Sequence, residues 1–264
     1  MSYEHLRIER EGQVALVTLD RPDKLNALSL ALMREIEAMA DEFRADTETR
    51  AVVMMGAGKH FTAGADLTDP ERAALSQEPM LVRQRVAQLG QRMTAKLHAM
   101  PQITIAAING GALGGGAVIV SALDFRIGSE DCFVAYPEIN LGMNLSWHGA
   151  ALCTRLVGPA RAKRMIILGE RENAETLCRW GFLDEAVRAD RVVDRALEVA
   201  RAYAAKPPMA AQMIKRSINA ISSAMDQAIT HMDTDQLMLA MMSKDSREGI
   251  NAFLEKRPAQ FTGE

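Results

Sequence analysis

Three short, nearly uninterrupted apolar runs constrain this chain most: Val14-Ala15-Leu16-Val17-Thr18-Leu19, Ala51-Val52-Val53-Met54-Met55 and Ile103-Thr104-Ile105-Ala106-Ala107-Ile108. A strand with one wet face alternates apolar and polar residues, so a continuous run marks a strand covered on both faces. Helical stripes lie between the runs. Leu32, Ile36, Met39 and Phe43 share one face, with Ser29 placed to cap their helix. Val82, Val86, Leu89, Met93, Leu97 and Met100 line a second, longer helix that stops before Pro101. An alternating strand around Leu6 and Ile8 precedes the first run, and Asp20-Arg21-Pro22-Asp23 breaks away from it. Asp69 to Glu78 reads as a polar, mobile connection. Strands alternating with helices imply an α/β architecture with right-handed crossovers.

The second half has a different character. An apolar helix is expected from Ala117 to Leu123, then short strands at Phe125-Arg126-Ile127 and Cys132-Phe133-Val134. From Ser146 onward the pattern is almost wholly helical. Pro159 suits a first helical turn, Asn173 can cap a helix ended by Gly181, and another spans Asp190 to Ala205. Pro207-Pro208 is the natural boundary, dividing a core of 1–206 from a region of 207–264 with three helical stretches. Met209, Met213, Met225, Met232, Met238, Met241 and Met242 crowd that region. Methionine fills irregular apolar gaps, so these helices should pack on the body or on another subunit, and an oligomer is expected.

Composition removes several classes of function. The 264 residues carry a net charge of -3, with no Lys/Arg-rich block to hold a nucleic acid. Cys132, Cys153 and Cys178 are widely spaced, form no CxxC pair and have no metal-spaced His beside them; they read as free thiols, and no metal is expected. No apolar run approaches the roughly 18 residues that span a bilayer. The polar start Met1-Ser2-Tyr3-Glu4-His5 lacks a signal-peptide core, which makes the expected location cytoplasmic.

The chemistry centres on Asn109-Gly110-Gly111-Ala112-Leu113-Gly114-Gly115-Gly116, which follows a buried strand and opens a helix. Glycines let a backbone approach a ligand closely, and a helix N-terminus offers unpaired N–H groups to negative charge. A phosphate or a carbonyl oxyanion would suit it. GxxxxGK[ST] is absent and GxGxxG cannot be placed, which weakens the phosphate. A second loop, Lys59-His60-Phe61-Thr62-Ala63-Gly64-Ala65-Asp66-Leu67, also follows a buried strand. Two such loops on adjacent strand ends can each aim one main-chain N–H at a single oxygen.

Four ordered motifs now carry a specific resemblance: Arg21-Pro22 with Leu25-Asn26-Ala27-Leu28; Phe61-Thr62-Ala63-Gly64-Ala65-Asp66; Ala107-Ile108-Asn109-Gly110 with Ala112 to Gly116; and Pro137-Glu138 with Leu141-Gly142. In order and spacing, from about residue 5 to 258, the chain resembles the enoyl-CoA hydratase/isomerase (crotonase) family. The resemblance implies a crotonase-like spiral of repeated ββα units, with C-terminal helices that build trimers, often paired into hexamers. It implies an acyl-CoA substrate, with coenzyme A as part of that substrate and no separate cofactor. The N–H groups of Ala65 and Gly115 would hold the thioester oxygen. Backbone around Lys24, Leu25 and Ala27, with Ala63 and Leu67, would hold the CoA adenine end, and Asp66, Leu113, Gly116, Pro137 and Leu141 would also contact the acyl-CoA substrate. Lys24 and Arg21 either reach the CoA phosphates or are simply solvated.

Hydratases of this family carry two catalytic glutamates, one two residues after the GGG run and one in the Pro-Glu motif. Here the first position is Val118, while Glu138 remains. A lone carboxylate beside an oxyanion hole suits removal and return of a proton, so double-bond isomerisation is expected over hydration. An atypical hydratase and a non-catalytic acyl-CoA-binding member are the alternatives. The segment Met143-Asn144-Leu145-Ser146-Trp147-His148-Gly149 also departs from the family pattern. Trp147 either packs in the core or stacks on the acyl group. His148 is either a helix-start residue or a second acid/base, and Asn144 is a candidate to orient water or a carbonyl.

Overall fold

The computed structural model describes residues 3–264; Met1 and Ser2, part of the polar start, lie outside the described residues. The strands are β1 (Leu6–Glu11), β2 (Val14–Leu19), β3 (Ala51–Gly56), β4 (Ile103–Ile108), β5 (Gly111–Leu113), β6 (Phe125–Ser129), β7 (Phe133–Ala135), β8 (Glu172–Asn173) and β9 (Glu185–Val187). The main sheet has the order β1-β2-β3-β4-β6-β9, parallel throughout except for the β1–β2 hairpin. A second sheet runs β5-β7-β8.

Eight helices accompany the strands before Pro207: α1 (Leu30–Ala45), α2 (Pro70–Ala74), α3 (Met80–His98), α4 (Gly115–Ala122), α5 (Gly149–Val157), α6 (Pro159–Lys163), α7 (Ala174–Trp180) and α8 (Val192–Ala204). The continuous apolar runs are explained by cover on both faces. Val52, Met54, Ala106 and Ile108 join Leu32, Ile36, Met39, Phe43, Met93 and Leu97 in one core. Their neighbours Ala51, Val53, Ile105 and Ala107 meet Val192, Ala196 and Ala200 of α8 in the other. Ser29 caps α1, accepting the Leu32 N–H at 3.2 Å, and Asn173 caps α7, accepting that of Thr176 at 2.9 Å. All three cysteines are free thiols.

Three expectations need correction. The second half is not purely helical: β9 extends the main sheet beside β6, and β8 edges the second sheet. These strands are two and three residues long, too short to show a period of two. Asp69 to Glu78 is not an open connection, because Asp69 caps α2 and a 3₁₀ turn follows. Beyond Pro207 there are four helices rather than three: α9 (Pro208–Ser222), α10 (Gln227–Thr230), α11 (Asp233–Met241) and α12 (Lys244–Glu255). The last two fold back: α11 packs on α3, and α12 on the turn Pro137–Leu141. Among the described residues, no helix is long and apolar enough to cross a membrane.

Candidate active site

The site begins at the C-terminal edge of the parallel sheet, where β3 and β4 end side by side. The loop after β3 is tied into the fold on both flanks. On one side Leu28 bridges to Ala65: the Leu28 N–H donates to Gly64 O at 2.8 Å, and the Asp66 N–H donates to Leu28 O at 3.1 Å. A bridge of this kind uses the peptide groups flanking Ala65 and turns the N–H of Ala65 itself away from it. On the other side Thr62 bridges to Ala112. The N–H groups of Ala65 and of Gly115, the first residue of α4, have no hydrogen-bond partner among the described residues.

The glycine run makes the close approach possible. Gly114 sits at φ 53°, ψ -121°, which favours glycine, and turns the chain from β5 into α4. The two loops touch: a Cβ built on Gly64 would lie 2.7 Å from Leu113 O and 3.7 Å from Gly114 Cα. A side chain on Gly114 would meet the Glu138 carboxylate, 2.8 Å from Oε1. The structure therefore brings Ala65, Gly115 and Glu138 to one place.

Glu138 stands in the 3₁₀ turn Pro137–Leu141 that follows β7. Its Oε2 is shielded from solvent and has no hydrogen-bond partner. Burial pushes this carboxyl up to about 7, although its own N–H opposes the shift. Such a group exchanges protons readily near neutral pH. Val118, at the position of the missing carboxylate, is buried in α4, with Leu145 and the backbone of Gly149 against it.

The expected CoA-side residues separate into two sets. Lys24, Leu25 and Leu67 are exposed, and Ala27 and Ala63 half-buried, along the outer lip. Asp66 is not free to line that lip. It is buried, accepts the Thr68 hydroxyl and N–H, and receives both terminal nitrogens of Arg21 at 3.1 Å. Burial alone would raise its carboxyl, but these bonds outweigh that and hold it below the usual carboxylate range. Arg21 also donates to Ala27 O, so its guanidinium is occupied in bracing the loop. Of the other expected substrate-site residues, Leu113, Pro137 and Leu141 are half-buried. Gly116 is a packing glycine, where a Cβ would lie 2.3 Å from Thr62 Cγ2.

Trp147 and His148 take consecutive left-handed conformations, φ 59° and 65°, at a cost of roughly 1–2 kcal/mol each. The indole lies between Gly90 of α3 and Gly115 of α4. His148 is the N-cap residue of α5, and its N–H donates to Asp233 Oδ2 at 2.7 Å. Burial lowers its imidazole below the usual histidine value, against the pull of Asp226. Asn144 donates to Gln236 at 3.4 Å, while its Oδ1 is shielded and unpartnered.

Several residues matter in ways that the motifs did not assign to them. Asn26 is fully buried; its amide donates to Ala57 O and His60 O, and its Oδ1 accepts the Arg21 N–H. Its conformation, φ 55°, is one that Asn tolerates better than most residues, which is a usable signal. His60 accepts the Gly111 N–H at 2.9 Å and so supports the glycine run. Gly90, alone inside a helix where glycine costs about 1 kcal/mol, was legible as a close-packing site. Nothing in the sequence near residue 148 pointed to Asp233.

This arrangement agrees with comparison to known proteins. The model of the family described as Enoyl-CoA hydratase/isomerase matches residues 9–264, and the chain belongs to that family. It is 30% identical over 259 residues to a short-chain-enoyl-CoA hydratase of Clostridium acetobutylicum, covering 97% of each chain. It is also 30% identical over 253 residues to a 1,2-epoxyphenylacetyl-CoA isomerase of Escherichia coli, covering 96% of each. The crystal structure of an enoyl-CoA hydratase from Mycobacterium avium subsp. paratuberculosis superposes with a TM-score of 0.88 at 26% identity, covering 99% of this chain and 100% of that one. The chain is thus a crotonase-family acyl-CoA enzyme.

Proposed function

We propose that this enzyme shifts a double bond along the acyl chain of an enoyl-CoA thioester, using Glu138 as its one proton-transfer group. The carrying observation is the pairing of Glu138 with Val118: a carboxylate beside the glycine loop whose Oε2 is shielded and unpartnered, and an apolar side chain where hydration would need a second acid. The thioester oxygen accepts the N–H groups of Ala65 and Gly115. Glu138 takes a proton from the carbon next to the thioester carbonyl, and the electron pair delocalises into a dienolate whose charge rests on that oxygen. The same carboxyl returns the proton two carbons further along, so no water is consumed. Lys24, Leu25, Ala27, Ala63 and Leu67 would line the CoA portion, and no cofactor beyond that CoA is needed.

The experiment compares wild type with Glu138→Gln on a 3-enoyl-CoA. Activity should fall about 10³-fold with KM little changed, within the range general acid–base catalysis supplies. A Gln variant with full activity removes the assignment. The rival is hydration, favoured by the hydratase names that predominate among the relatives. Crotonyl-CoA hydration faster than isomerisation would establish it, and would require water to be held without a second carboxylate. Tight acyl-CoA binding without turnover of either substrate would indicate a non-catalytic member.

We also propose that 207–264 forms the oligomer contact of a homotrimer or dimer of trimers. The support is an apolar face left open on α9 and beyond: Met209, Ile221 and Met225 are 75%, 80% and 78% exposed. Exposed apolar surface on this scale marks an interaction site. Light scattering that gives a monomer would exclude it.

A further inference from the structure

Trp147 packs against the Gly115 end of the glycine run without belonging to the proton-transfer machinery. Trp147 lies with its indole between two backbones: a Cβ on Gly115 would come within 2.2 Å of Cζ3, and one on Gly90 within 2.0 Å of Cε2. Each helix gives up a side chain at the point where the ring meets it. The ring therefore covers the Cα of the residue whose N–H is assigned to the thioester oxygen, and fills the crease between α3 and α4 behind it. Leu28 Cδ1 closes against the same Gly115 position, 3.0 Å from where its Cβ would be.

The ring is also fixed in place. Trp147 and His148 both hold left-handed backbone, and the peptide between them donates its N–H to the buried Asp233 of α11 at 2.7 Å. The Gly149 N–H returns to Ser146 O at 2.9 Å, and the Leu152 N–H to His148 O at 3.0 Å. Swinging the indole out would disturb a turn held by two of these hydrogen bonds and the first turn of α5, closed by the third.

We propose that Trp147 is a fixed plug in the acyl channel, so that the substrate class is enoyl-CoA with a short acyl chain. This rests on the assignment of the thioester oxygen to Ala65 and Gly115. It does not depend on which reaction follows, and the test keeps the two apart by measuring binding without chemistry. The dissociation constants of butyryl-, hexanoyl-, octanoyl- and decanoyl-CoA, all saturated and unreactive, are measured by calorimetry for wild type, Trp147→Phe and Trp147→Ala. In an open apolar channel each added methylene tightens binding several-fold. With a plug, wild type should bind decanoyl-CoA no more tightly than butyryl-CoA. Trp147→Ala should then gain at least tenfold for decanoyl- over butyryl-CoA, and Trp147→Phe a smaller gain in the same direction. Steady tightening with chain length in wild type overturns the proposal, as does an unchanged ratio in a folded Trp147→Ala. If Trp147→Ala does not fold, the wild-type series and Trp147→Phe decide. Failure of the Glu138 assignment would leave these affinities untouched.

Discussion

Five non-glycine residues have left-handed backbone among the described residues, and four of them form two consecutive pairs, one in each half of the site. Leu25-Asn26 underlies the half proposed to bind the carbonyl, and Trp147-His148 the half proposed to face the acyl chain. Strain of this kind persists only where the surroundings enforce it, and the two pairs are enforced differently. Asn26 is held from within the sheet body: its own side chain bonds Arg21 nearby and Ala57 and His60 in the loop after β3, and its carbonyl accepts the Thr62 hydroxyl of that same loop at 2.7 Å. The second pair is held from far along the chain. Asp233 receives His148, Gln236 meets Asn144, and α12 backs the Glu138 turn, where Gly249 lies against Leu141. The half proposed to bind the carbonyl is thus part of the sheet body, while the half with the proposed base, Glu138, is backed by the C-terminal helices.

The largest break in that contrast is at Glu138 itself. Its carboxyl, raised to about 7, keeps its proton in the folded protein where the unfolded chain has already lost it. Folding stability should therefore fall as pH rises from about 4.5 to about 7, by about 3 kcal/mol in all, and stay low above that. Glu138→Gln should abolish this slope in denaturation measured across pH. Activity should run the opposite way, with kcat/KM rising through about pH 7 as the base ionises. A flat profile over pH 5–9 would mean that Glu138 is not the titrating base.

Next in size is Asn26→Ala, which removes three part-buried hydrogen bonds and takes a partner from each of the backbone groups they join. A loss of about 3 kcal/mol is expected in chemical denaturation, with the damage concentrated on the loop that carries Ala65. Asp233→Ala should cost about 2 kcal/mol, because the His148 N–H loses a charge-assisted partner. Its kinetic effect should fall on kcat, through the Glu138 side, with CoA affinity retained. Asp233→Asn keeps an acceptor and should restore most of the loss; equal kinetic damage in both variants would show that the clamp is not what Asp233 supplies.

The same division explains what could be seen in the sequence. The strands β1 to β4, the α1 stripe and the Ser29 and Asn173 caps follow from local pattern, and the structure has them where the pattern puts them. The glycine run and its partner loop were visible because backbone approach needs small residues at fixed positions. Asp66 was expected on the ligand lip, yet it is buried against Arg21, since spacing does not reveal which way a loop carboxylate turns. Asp233 and Gln236 were invisible for a different reason. They lie 85 and 92 residues from His148 and Asn144, and no periodicity links them.

The smallest test lies at the edge of that long-range contact. Gln236 accepts from Asn144 at 3.4 Å in an exposed position, a long bond that water can replace. Gln236→Ala should change stability by less than about 0.5 kcal/mol. Its use is in what it separates. If the C-terminal helices support the acyl half chiefly through the buried Asp233, then Gln236→Ala leaves kcat near the wild-type value while Asp233→Ala lowers it. If the two variants lower kcat alike, support is spread along the whole of α11, and the polar contact at Asn144 matters as much as the buried one.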